Sequence, residues 1–153
     1  LVLIKWQFTI FANQKITEMT TYESKIVAIS KRAEDVFRVL SDFRNFSPMA
    51  KDKLEEWQAT EDSCSFKYKG MGPFGIKIIE REEFKTIKFT GDEKSPMEFF
   101  MWIQLKEVAP YDTCMKITVK AELNMMMRMM VGNKLKEGID ALADGIAAAF
   151  NAV

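Results

Sequence analysis

The chain has 153 residues, 48% of them apolar and 29% charged, with 22 Lys plus Arg against 22 Asp plus Glu. That length and balance predict one globular domain with a core of its own, and zero net charge argues against a nucleic-acid partner. With no histidine, and with Cys64 and Cys114 outside any CxxC spacing, histidine-based nucleophile systems and His-containing or all-Cys zinc sites are excluded, and neither a metal nor a cofactor is expected.

Residues 1–18 read LVLIKWQFTIFANQKITE. The apolar run is too short and too interrupted to span a membrane, and it lacks the small-residue cleavage site of a secretory leader. Met19 opens MTTYESKIV, a natural domain start. Residues 1–18 are therefore read as an N-terminal extension that comes from an upstream start, adds an edge strand or stays disordered; a membrane-associating segment is the alternative. Residues 19–153 form the single expected domain, and the missing export signal predicts a cytoplasmic location.

Residues 22–29 alternate weakly and end in β-branched side chains, which predicts a first strand. Ser30 fits a helix N-cap with Glu34 in the first turn, and Ala33, Val36, Phe37 and Leu40 make a helical stripe. Ser41-Asp42 restarts the chain as a second cap; Phe43, Phe46 and Met49 follow at three-residue spacing, and Pro48 makes that second helix short or broken.

Strands follow. Residues 53–60 carry Trp57, and Glu61-Asp62-Ser63 is a turn by composition. Cys64, Phe66 and Tyr68 alternate with Ser65, Lys67 and Lys69, and after a Gly-Pro turn Phe74, Ile76 and Ile78 share one parity, with Glu80 falling on it too. Ile87 and Phe89 mark the next strand. Residues 98–108 are apolar on both parities: Met97, Phe99, Met101, Ile103 and Leu105 on one, Phe100, Trp102 and Gln104 on the other. Met115, Ile117, Val119, Ala121 and Leu123 then alternate with polar neighbours. The connecting turns are short, so neighbouring strands are expected to pair antiparallel. Last, Val131, Leu135, Ile139, Leu142, Ile146 and Phe150 recur at the helical period, which predicts one helix of about 40 Å. The class is α+β: seven strands in one curved antiparallel sheet, two short helices after the first strand, and a long C-terminal helix across the sheet.

This order resembles the helix-grip fold of the START-like, or SRPBCC, superfamily, which includes pollen-allergen-like carriers, lipid-transfer domains and polyketide cyclases. Residues 33–49, AEDVFRVLSDFRNFSPM, look like the family's helix pair, with Val36-Phe37 packing inward and Leu40-Ser41-Asp42 opening the second helix. Residues 123–143, LNMMMRMMVGNKLKEGIDALA, resemble the closing helix of small bacterial members. The resemblance covers about residues 20–153 and is specific for the fold, which does not by itself imply a function.

Such proteins typically hold an apolar ligand between sheet and C-terminal helix. By parity the resemblance implies a wall of Phe66, Tyr68, Phe74, Ile76, Ile78, Phe89, Phe99, Met101, Ile103, Ile117 and Val119. Met126, Met127, Met130 and Leu135 of the helix would continue it, with Phe46 and Met49 at the mouth. The alternative is that these side chains fill the interior completely.

Individual features admit two readings each. Five methionines among residues 125–130 cannot all face the sheet, so they are either a flexible apolar lip or partly buried under other elements. Arg128 among them either pairs with a ligand carboxylate or phosphate or faces water. Gly132, Gly138 and Gly145 lower helix propensity; they either let the helix approach the sheet, the simpler reason, or make room for a ligand. Glu80 and Tyr68 are the weak candidates for catalysis: an inward Glu80 would have a raised pKa, whereas a strand that bulges before it would put it at the rim. Phe100 and Trp102, opposite the wall, would form an aromatic patch suited to a homodimer or to cover by residues 1–18. If the parity is inverted, Trp102 and Gln104 line the cavity instead.

The reading that follows is a binding or transport protein for a small apolar or amphipathic ligand, lipid-like or polyketide-like, with Tyr68 as a polar anchor. The alternatives are a cyclase- or dehydratase-type enzyme in the same cavity and an interaction module with a filled core. No nucleic acid and no stable membrane insertion are expected.

Overall fold

The structure, a computed structural model, describes residues 19–153 apart from 69, 70 and 96. The expectations for residues 1–18 fall outside the described residues.

The chain folds as α+β around one antiparallel sheet. The first expected strand is broken in two, β1 (Met19–Glu23) and β2 (Val27–Ile29), and both pair with β8 (Asp112–Glu122). Among the described residues that makes eight strands where the alternation predicts seven. Ser24 makes the break: its N–H donates to the Ile117 carbonyl at 2.8 Å, and its hydroxyl accepts from the Ile117 N–H at 2.8 Å. One buried serine thus supplies both halves of a ladder step and lets the strand jog. The remaining strands are β3 (Glu55–Ala59), β4 (Ser63–Tyr68), β5 (Met71–Glu82), β6 (Thr86–Gly91) and β7 (Phe99–Ala109). They run β1-β8-β7-β6-β5-β4-β3 across the sheet, each hydrogen-bonded to its neighbour in antiparallel register.

Between β2 and β3 lie α1 (Ala33–Leu40), a 3-10 turn (Phe43–Phe46) and α2 (Ser47–Lys53). Ala33, Val36, Phe37 and Leu40 are the buried stripe of α1, as their spacing predicts. Ser30 is not its cap. The helix starts at Ala33, whose N–H is taken by the Glu107 carboxylate at 3.0 Å, while the Ser30 N–H donates to Asn151 Oδ1 at the end of the last helix. Asp42 does restart the chain: it accepts the Arg44 N–H at 3.0 Å and pairs with the Arg44 guanidinium, which holds its carboxyl below the usual range. Pro48 falls in the first turn of α2, where its missing N–H costs nothing.

The long helix α3 (Met125–Asn151) has 27 residues, about 40 Å. Asn124 caps it, accepting the Met127 N–H at 2.8 Å. It packs against β1, β2 and β8. From Lys136 onward it is tied to the β1–β2 edge by polar bonds. The Lys25 N–H donates to Asp140 Oδ1 at 2.7 Å, the Lys136 ammonium donates to the Glu23 carbonyl at 2.6 Å, and Lys25 pairs with Asp144 at 2.5 Å. The Lys25 N–H, followed by the Lys136 ammonium, holds the Asp140 carboxyl below its ordinary range.

Candidate functional site

Every residue that parity assigns to the wall from Phe66 to Val119, Tyr68 excepted, lies on the face of the sheet that α3 covers. Cross-strand register joins them: Phe66 faces Phe74, Ile78 faces Phe89, Phe89 faces Met101, Met101 faces Val119, and Ile103 faces Ile117. The orientation of β7 is thereby settled. Phe99, Met101, Ile103 and Leu105 point to the inner face, and Phe100, Trp102 and Gln104 to the outer.

Burial divides this wall in two. Ile78, Phe89, Ile103, Ile117 and Val119 are buried, Phe89 to 1% exposure, and they meet Val36, Phe37, Leu40 and Phe43 from the helix pair. These side chains are core. Phe43 packs edge-on to Phe89 at 5.6 Å. Phe66, Phe74, Ile76, Phe99 and Met101 lie at the other end of the same face and remain half-buried against the core, together with Trp57, Met97, Met127, Val131 and Leu135. Trp57, Phe66 and Phe74 stack in series with centroids 6.2 and 5.6 Å apart, and the Trp57 indole N–H is satisfied by Ser47 Oγ at 2.8 Å. A half-open apolar surface of aromatic rings and flexible thioethers, between the β4–β7 inner face and the first half of α3, is therefore the candidate site.

Of the methionine run only Met127 packs inward. Met125, Met126, Met129 and Met130 are 68–83% exposed, so Met126 and Met130 stand at the start of α3 on its solvent side, outside the wall. Gly132 sits one turn further on, where a Cβ would come within 3.1 Å of the Tyr22 hydroxyl; this is where the helix approaches β1 most closely among the three glycines. Nothing lies within 4 Å of the corresponding point at Gly138 or Gly145.

Glu80 is on the outer face. β5 bulges between Ile78 and Glu80, so Ile79 is inserted, Glu80 pairs with Lys88, and the carboxylate is carried away from the wall. Arg81 beyond the bulge bonds Asp62 at 2.7 Å and the Ser41 carbonyl at 2.8 Å, tying the strand to the helix pair. Tyr68, the last residue of β4, is exposed, past a second register shift. Cys64 lies buried on the inner face of β4, and burial pushes its thiol up to about 12. Among the described residues no group of three or more His, Cys, Asp or Glu side chains is placed to hold a metal ion.

Phe46 and Met49 line an apolar groove of about 340 Å³ between the helix pair and the end of α3, facing Ile146 and Phe150. This groove lies at the opposite end of α3 from the methionines. A larger depression of about 610 Å³ at the β5–β6 turn is lined by charges of both signs, including Arg32, Glu34, Glu82, Lys85 and Glu107. On the outer face Phe100 and Trp102 are half-buried rather than open: the Lys88 ammonium lies 5.0 and 5.3 Å from the two ring centres, and that of Lys120 lies 5.7 Å from Trp102. Among the described residues no helix is long and apolar enough to cross a membrane.

No protein-family model and no curated protein matches the sequence. Solved structures do match in shape. Norcoclaurine synthase from Thalictrum flavum, in complex with dopamine and hydroxybenzaldehyde, superposes with a TM-score of 0.69 at 15% identity over 90% of each chain. A START superfamily protein from Mycobacterium smegmatis gives 0.59 at 14% identity, over 84% of this chain and 96% of that one. The Aha1 dimer from Colwellia psychrerythraea gives 0.63 at 15% identity, over 87% and 97%. Sequence identity this low carries the fold and nothing finer. The order of elements, the antiparallel sheet with its face under one terminal helix, and these superpositions agree: the chain has the helix-grip fold of the START-like, or SRPBCC, superfamily.

Proposed function

We propose that the chain binds one small apolar or amphipathic molecule against the half-open inner surface, between β4–β7 and the first half of α3. One observation carries this reading. Side chains of the same apolar character, on the same strands, are fully buried at one end and half-exposed at the other. Leaving that surface wet forgoes about 25 cal/mol for each Å² of apolar area, which a ligand seated there recovers. The exposed methionines at the start of α3 give that surface an adaptable edge. Norcoclaurine synthase, with the same fold, was solved with dopamine and hydroxybenzaldehyde. That likeness supports a small-molecule site without naming its occupant.

The two side chains singled out for acid–base chemistry do not reach the inner surface: Glu80 lies on the opposite face, and Tyr68 is exposed at the end of β4. Binding is the reading this geometry supports best.

Native mass spectrometry of the purified protein, followed by organic extraction, tests the proposal. The expected result is a bound species of a few hundred daltons that is lost on extraction and regained on adding apolar compounds. Bare protein that takes up no compound from an apolar library would overturn it.

A further inference from the structure

Arg128 is the one charged side chain on the inward stripe of the first half of α3. That stripe runs Met127, Arg128, Val131, Gly132, Leu135. Its neighbours Met125, Met126, Met129 and Met130 are all exposed, whereas Arg128 is half-buried and its Nε is fully shielded with no hydrogen-bond partner. No carboxylate pairs with it among the described residues, although eight other ion pairs form there. A guanidinium keeps its charge at any ordinary pH, so it cannot relieve this burial by losing a proton. An unanswered, partly buried charge is unfavourable until an anion meets it. Long helical side chains lean toward the helix start, which carries the guanidinium to the edge of the half-open surface.

We infer that the ligand is a carboxylate-bearing amphiphile, its head on Arg128 and its apolar chain running inward along Met127, Val131 and Leu135. This rests on the proposed ligand site and adds the chemical class of its occupant. One guanidinium, with no second cation on the stripe, suits a single negative charge. A planar carboxylate accepts two parallel N–H bonds from it.

Dodecanoate and dodecanol, each titrated below its micellar concentration against the full chain, separate the head from the tail. Wild-type protein is expected to bind dodecanoate more tightly than dodecanol by about tenfold or more. Arg128→Gln is expected to abolish that ratio by weakening dodecanoate far more than dodecanol, and Arg128→Lys to restore part of it. Dodecanoate affinity is also expected to fall as pH drops through the carboxyl pKa, a measurement that needs no variant. Equal affinity for acid and alcohol in wild-type protein, or a ratio that survives in Arg128→Gln, overturns the carboxylate inference and leaves the apolar site standing. Binding of neither compound overturns both.

Discussion

The two ends of the helix grip use the same strands and the same helix, yet they are packed differently. At one end Ile87, Ile103, Met115 and Ile117 from the sheet meet Val36, Phe37 and Leu40 from α1 and Ile139, Ala143 and Ile146 from α3, and all are buried. At the other end Phe66, Phe74, Ile76, Phe99 and Met101 share the inner face with Met127, Val131 and Leu135, and all are half-exposed. Apolar content does not explain the difference, since the less buried end carries the larger rings. The third layer explains it. At the filled end α1 inserts its own stripe, and α3 is held down by Lys25, Lys136, Asp140 and Asn151. At the other end α3 begins with methionines that point to solvent. Even strained backbone is used to close the filled end: Phe84 sits at φ 64° in the β5–β6 turn and packs edge-on to Phe37 at 5.7 Å.

The largest expected effect comes from cutting the same residue type at each end. Phe89→Ala is expected to cost about 3–5 kcal/mol of stability in urea unfolding, and Phe66→Ala about half that or less. Equal losses would mean that the two ends are equally filled. Glycines sharpen the comparison along α3. Gly138→Ala is expected to add about 1 kcal/mol, because its Cβ would meet open space. Gly132→Ala is expected to add none, since its Cβ would press on the Tyr22 hydroxyl. The smallest effect is a rate. Cys64, buried and with its thiol pushed up to about 12, is expected to alkylate more slowly at pH 8 than the half-buried Cys114, as read by peptide mass mapping. Matched rates would mean that Cys64 is as open to solvent as Cys114.

Much of this was legible in the sequence. The two-residue alternation of β4 to β8, Tyr68 aside, and the stripe Val131, Leu135, Ile139 of α3 agree with the faces in the structure, because one-sided burial imposes those periods. The break at Ser24 was not legible, since a serine inside a weakly alternating strand gives no sign that its hydroxyl will replace a ladder bond. The bulge at Ile79 was legible in part: Glu80 on an apolar parity pointed to a strand that twists or bulges before it, and the pairing with β6 shows the inserted residue and puts Glu80 on the outer face. That Phe46 and Met49 line a groove with Ile146 and Phe150 was not legible, because helical spacing gives a face but not the element it meets. Arg128 carried an ambiguous signal in a run of methionines, and only its shielded Nε separates the inward orientation from the solvated one.

The central claim is that the half-open end, and not the filled end, receives a ligand. Methyl-labelled methionine NMR tests it directly, because the side chains of Met101 and Met127 lie at the half-open end while Met115 lies in the filled one. On titration with dodecanol, the account predicts saturable shifts of the Met101 and Met127 methyls with Met115 unmoved. Titration that leaves Met101 and Met127 in place, or that moves Met115 as much as them, would contradict it.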